Sequence, residues 1–190
     1  MLRSLPAIIL GLAALLVIIN LQDYLISPEL QPVSTRQDEI DYYMTNFSFS
    51  AINAAGETSM NLRGQYQAHW RERKTSFIIE PRLDSHRYQT DAPEDTVSLS
   101  ASEAVLDHRD NIAALQGEVH LLARTRGETR LDLTTTELQY DINNNIISTT
   151  EAVLLKSPGF VLQGTGLTAK LDQESLRINN NVRSTYIPAH

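Results

Sequence analysis

The sequence predicts an all-β domain carried behind one short apolar segment, and three observations lead there. Stretches of the chain alternate apolar and polar residues with the period of a strand. A pattern recurs at an offset of 34 residues, and beyond residue 21 no stretch holds a helical stripe for three turns.

The apolar segment comes first in the chain. Leu5 to Ile19 contains no charged or strongly polar side chain. A helix over residues 5–21 would be about 25 Å long, just short of the hydrocarbon core of a bilayer. Residues 20–25, Asn-Leu-Gln-Asp-Tyr-Leu, offer no small-residue cleavage site, which favours a retained anchor over a cleaved signal peptide. Arg3 precedes the run, and Asp23 and Glu29 follow it. The positive-inside rule then keeps residues 1–4 in the cytoplasm and the bulk of the chain outside, as a single-pass inner-membrane protein with a periplasmic domain. Residues 22–37 hold Pro28 and Pro32 among polar neighbours and read as a linker. Residues 38–190 form the domain.

In Met60–Trp70 the apolar or small residues Met60, Leu62, Gly64, Tyr66, Ala68 and Trp70 alternate with polar ones, the mark of a half-buried strand. The repeat lays Leu99–Leu122 over Leu133–Lys156, so that Glu103 matches Glu137, Asp107 matches Asp141 and Asn111 matches Asn145. Looser copies run from Leu162 to Tyr186 and from Met60 to Leu83. In three copies the inward parity slips by one residue at the same place. Val97, Leu99 and Ala101 give way to Ala104 and Leu106; Leu131, Leu133 and Thr135 to Leu138, Tyr140 and Ile142; Phe160, Leu162 and Gly164 to Leu167, Ala169 and Leu171. A persistent slip is what a β-bulge produces, and bulges bend strands, so the fold expected is a twisted, open, trough-like β-jellyroll. Polar clusters at 54–56, 71–74, 91–95, 107–111, 126–127, 143–145 and 157–159 mark turns, and their spacing predicts about ten to twelve strands.

Composition excludes several functions. With 16 Lys and Arg against 23 Asp and Glu, a net charge of −7 and scattered basic residues, the chain is unsuited to nucleic acid. It has no cysteine, hence no disulfide, thiolate metal site or cysteine nucleophile. Gly164-Thr-Gly166-Leu-Thr-Ala169 fits a dinucleotide pattern only formally, because a strand and not a helix follows; Gly164 and Gly166 belong to the bulge. His69, His86, His108, His120 and His190 lack ligand spacing, with His69 and His120 expected outward and His108 in a turn. Acidic residues gather at turn tips, where solvation explains them, although paired catalytic carboxylates of a carbohydrate-active enzyme are an alternative. No cofactor, metal or catalytic residue is expected.

The inner face expected of the sheet includes Phe47, Phe49, Met60, Leu62, Tyr66, Trp70, Leu99, Leu121, Leu133, Tyr140, Leu162, Leu167 and Tyr186. These residues alone leave open whether that face is a closed core or a groove for acyl chains.

The order of features carries a resemblance: a short anchor, Asp41-Tyr-Tyr-Met44-x-Asn46-Phe47, Gly56 before Ser59-Met-Asn-Leu62, Pro81-Arg-Leu83 after Trp70, Gly117-Glu-Val119, and the closing Val182-Arg-Ser-Thr-Tyr186. Over essentially its whole length the chain resembles the LptC family of the lipopolysaccharide export machinery. That resemblance implies a periplasmic β-jellyroll that receives lipopolysaccharide from an inner-membrane ABC transporter, with its permease and ATPase subunits, and hands it to the bridge protein LptA. It also implies groove contacts by Phe47 near the receiving edge and by the strand Phe77, Ile78 and Ile79, whose period does not settle which of them face inward. Leu176 and Tyr186 would complete the groove. The edge formed by Val182, Arg183, Thr185 and Tyr186 would face the bridge. The third repeat is expected to carry a longer turn around Asp172–Asn181. An adaptor that splices partners together without binding lipid is the competing reading.

Overall fold

The computed structural model describes residues 39–89, 92–173 and 175–186, so the expected anchor and linker lie outside the described residues. Among these residues eleven strands follow one another: β1 (Tyr42–Ile52), β2 (Thr58–Trp70), β3 (Thr75–Ile79), β4 (Arg82–Gln89), β5 (Ala92–Ser100), β6 (Glu103–Asp107), β7 (Ile112–Thr125), β8 (Glu128–Asp141), β9 (Ile146–Ser157), β10 (Phe160–Lys170) and β11 (Ser175–Tyr186). All described pairings are antiparallel and belong to one sheet.

The sheet is folded on itself. β2 pairs with β4 through Met60–Arg63 and with β3 through Tyr66–Trp70. β7 divides in the same way, pairing with β6 through Ile112–Gln116 and with β5 through Asp95's partner Thr125 back to His120. The short pairs β4–β5 and β3–β6 bridge β2 to β7 along separate routes, one in each layer. Residues from both routes belong to one buried cluster, so the two layers face each other across it. The first layer holds β4, β5 and one half of each long strand; the second holds β3, β6 and the other halves.

Each long strand bends where it passes between layers, and the register shows how. Gln116 pairs with Glu137 but Val119 with Thr135, so Gly117 and Glu118 oppose the single residue Thr136. Gly117, at φ 83°, supplies the left-handed backbone this bulge requires. Thr150 and Glu151 likewise oppose Gly166, and Asn181 and Val182 oppose Gly164. The extra residue always sits on β7, β9 or β11, the returning strands of the hairpins β6–β7, β8–β9 and β10–β11. The outgoing strand therefore crosses in three residues and changes parity, as the sequence pattern showed, while its partner crosses in four and does not. Side-chain hydroxyls stand in where the ladder breaks: Glu118 N–H donates to Ser102 Oγ (3.3 Å), Glu151 N–H to Thr149 Oγ1 (3.1 Å), and Thr135 Oγ1 to the Ala152 carbonyl (3.0 Å).

Four loops close the second layer's end, at 71–74, 108–111, 142–145 and 171–174, all of four residues. Lys74, Asn111 and Asn145, each the last residue of its loop, have φ of 51°, 56° and 52°. Successive loops are hydrogen-bonded to each other: His108 N–H to Lys74 O, Ile142 N–H to Asn111 O and Leu171 N–H to Asn145 O, at 2.8, 3.1 and 2.9 Å. The recurring Asp107 and Asp141 fold their loops by accepting backbone N–H bonds from Arg109, Asp110 and Asn144. The loop at 171–174 is no longer than its counterparts, against the sequence expectation, because Lys170 pairs directly with Ser175. The cluster at 91–95 also differs: Ala92–Asp95 lies within β5.

Candidate functional site

The space between the layers is the candidate site. Its first-layer wall is built by Met60, Leu62, Leu83, Leu99, Leu121, Leu133 and Leu155, and its second-layer wall by Ile78, Ala104, Leu106, Leu115, Leu138, Tyr140 and Ile147, all buried. The middle is filled. The void among Leu62, Ile78, Leu83, Leu99 and Leu115 measures about 20 Å³, room for about one water molecule and far too little for an acyl chain.

Burial falls away toward both sheet edges. On the β1 side, Phe47 is buried while Met44, Phe49 and Ala51 are only half-buried. Phe47 lies across from Gly64, where a Cβ would come within 2.7 Å of its ring, so the glycine lets the ring lie flat on the sheet. On the β11 side, Phe160, Leu162 and Ile178 are half-buried, Leu176 is 36% exposed and Tyr186 75% exposed. Leu176 pairs with Ala169 and Tyr186 with Phe160, so both share the parity of the inner face. Arg183 and Thr185 have the opposite parity, and Val182 is exposed at the crossing. Among the described residues β1 and β11 each pair with one neighbour, leaving two open edges.

Ten of the expected groove residues share this interior or its mouths: Phe47, Phe49, Leu62, Ile78, Leu99, Leu133, Tyr140, Leu162, Leu176 and Tyr186. Three do not. Phe77 and Ile79 lie on the outer face of β3, which resolves the ambiguous parity in favour of Ile78. Trp70 is also outside, with Tyr66. The run from Met60 was expected to keep one parity, but β2 crosses layers after Gly64, and from there Gln67 and His69 face inward.

His69 is therefore buried, 6% exposed, where an outward position was expected. Its Nδ1 lies 2.9 Å from Ser76 Oγ, which lies 2.8 Å from His108 Nε2, and the Tyr42 ring stacks on His69 at 4.9 Å. This polar group ties β1, β2, β3 and the loop at 108–111 at one corner of the interior. The only sequence signal for it was the layer crossing at Gly64, visible as a parity slip in the other copies. Tyr140 reaches the same end from β8: its hydroxyl donates to Asn145 Oδ1 at 2.9 Å, and burial, assisted by Asp172 and Asp141, pushes its pKa up to about 12. Side-chain and backbone hydrogen bonds from Asn144 hold Asp141 below the ordinary carboxylate range. Among the described residues no cluster of three or more His, Asp or Glu is placed to hold a metal. His120 pairs instead with Asp132 (2.8 Å) on the outer face.

One sheet folded around a continuous apolar interior, with both edge strands open, defines an open β-jellyroll. Over residues 6–187 the sequence matches the family described as lipopolysaccharide-assembly, LptC-related, and the chain belongs to that family. The protein thus takes part in lipopolysaccharide transport, within a family of transport components and not of enzymes. The fold is similar to the crystal structure of LptH from Pseudomonas aeruginosa, described as the LptA-homologous periplasmic component of the lipopolysaccharide transport device. The TM-score is 0.51 at 7% identity, covering 68% of this chain and 95% of that one. A search of curated proteins finds no match.

Proposed function

We propose that this protein receives lipopolysaccharide from an inner-membrane ABC transporter at its β1 side and passes the acyl chains between the two layers to LptA at its β11 side. In this reading residues 5–21 anchor the chain in the inner membrane, residues 1–4 remain cytoplasmic, and the β domain is periplasmic. One observation carries the proposal: the apolar lining runs without interruption between two open sheet edges and becomes half-exposed at each. Every methylene shielded from water is worth about 0.8 kcal/mol, so a multiply acylated lipid needs such a lining along its whole path. The open backbone at β1 and β11 suits edge-to-edge pairing with a partner's sheet, which would prolong the lining. Val182, Arg183, Thr185 and Tyr186 form the edge offered to LptA.

The filled middle favours a second reading, an adaptor whose sheet joins two partners around a dry core. Lipid passage requires the layers to part along their line of crossings. Photo-crosslinking residues placed singly at Phe47, Leu162 and Tyr186 in the assembled machinery separate the two. The transfer reading expects lipopolysaccharide adducts at all three. Absence of adduct from every inward position, with the partners still bound, leaves the adaptor. Tyr186→Asp is expected to weaken capture of LptA without unfolding the domain.

A further inference from the structure

The outer face of the second layer carries a boundary that neither the trough nor its edges require. One row of paired residues crosses that face from β1 to β11: Tyr43, Ala68, Phe77, Val105 and Ala114, then Gln139, Ser148, Thr168 and Arg177. The first five are apolar or aromatic and the last four polar. Tyr66 and Ile79 flank the apolar part, with Tyr43 stacked on Tyr66 at a centroid distance of 6.1 Å. Ala68 is fully buried here without belonging to the interior cluster, while Tyr43 is 65% and Val105 38% exposed. An apolar patch confined to one half of an otherwise polar face marks a contact surface.

We propose that residues 22–38 of this same chain occupy the patch. The described chain begins at its margin: Asp41 N–H donates to the His69 carbonyl (2.9 Å) and the Asp41 carboxylate pairs with Arg71 (2.7 Å), two residues before Tyr43. The segment holds Tyr24, Leu25, Ile26, Leu30 and Val33 among polar residues. Its length suffices. From β1 to β6 the patch spans three strand spacings, about 14 Å, whereas an extended chain from Asp41 back to Val33 covers about 26 Å. Seated there, the segment fixes the trough's direction relative to the expected anchor, whatever the trough carries.

The test uses the full chain in detergent, with a photo-crosslinking residue at the exposed Val105 and adducts mapped by peptide mass spectrometry. The expected result is intrachain adducts within residues 22–38, reduced at least fivefold when Leu25, Ile26, Leu30 and Val33 are all changed to Ser. Trp70, the single tryptophan, lies half-buried on the same face, and its emission should shift to the red in that variant. Adducts to detergent, to a second copy or to nothing would overturn the proposal. So would equal capture of the segment by a probe at Thr168, or capture that the four substitutions leave undiminished.

Discussion

Gly117→Ala tests the crossing between layers most directly. Two costs add. An alanine held at φ 83° loses roughly 1–2 kcal/mol relative to glycine. Its Cβ would also come within 2.2 Å of Ser102 Oγ and 2.4 Å of Ser102 Cβ, an overlap that backbone movement must relieve at about 1–3 kcal/mol. The sum, about 3 kcal/mol, is a large share of the roughly 5–15 kcal/mol that holds a domain together. With a urea dependence of about 2 kcal/mol per molar, the midpoint should fall by about 1.5 M at unchanged slope, followed by the strand band in circular dichroism. Ser102→Gly removes both clashing atoms at the cost of one long hydrogen bond from Glu118. The double variant should therefore recover about half of the lost midpoint, leaving the backbone penalty. A midpoint within about 0.2 M of the parent for Gly117→Ala would refute this account of the bulge. So would a double variant no more stable than Gly117→Ala alone.

Leu138→Ala should cost about 3 kcal/mol, because the side chain is fully buried. Leu176→Ala, at the half-exposed β11 mouth, should cost less than about 1 kcal/mol; comparable losses in urea denaturation would mean that the mouth is closed. Tyr140, with its pKa raised, contributes stability that is complete below pH 10 and lost as the pH rises through about 12. Tyr140→Phe should therefore decline less steeply than the parent over that window, and parallel declines would contradict the assignment. Along β3, a photo-crosslinker at Ile78 should trap lipopolysaccharide while probes at Phe77 and Ile79 do not; an adduct at all three positions would count against the observed parity.

The strand period and the 34-residue repeat made the all-β class legible, and the parity slips marked the crossings at Ala101–Ala104, Thr135–Leu138 and Gly164–Leu167. The bulge itself lies on the neighbouring strand and not on the strand whose parity slips. Sequence shows only which residues keep the inward period, whereas the extra bulge residue belongs to the partner strand, which keeps its parity and so gives no signal. The same blindness put Trp70 inside. Tyr66, Ala68 and Trp70 continue the alternation of Met60 and Leu62 because the outer face of β2 is also apolar, so the slip after Gly64 leaves no contrast to read. His69 was misplaced for the same reason, since Ser76 and His108, seven and 39 positions away, satisfy it only in three dimensions.

The hydrogen-bonded series of loops at the second layer's end makes the architecture extensible. Each hairpin takes its place by pairing along one edge and docking one loop against the preceding loop, without needing any residue further back. A further hairpin would lengthen the enclosed space by two strand spacings, about 10 Å, and change nothing already built. Length in such a protein is counted in hairpins, and separate domains meeting edge to edge would continue the same count with the peptide links left out.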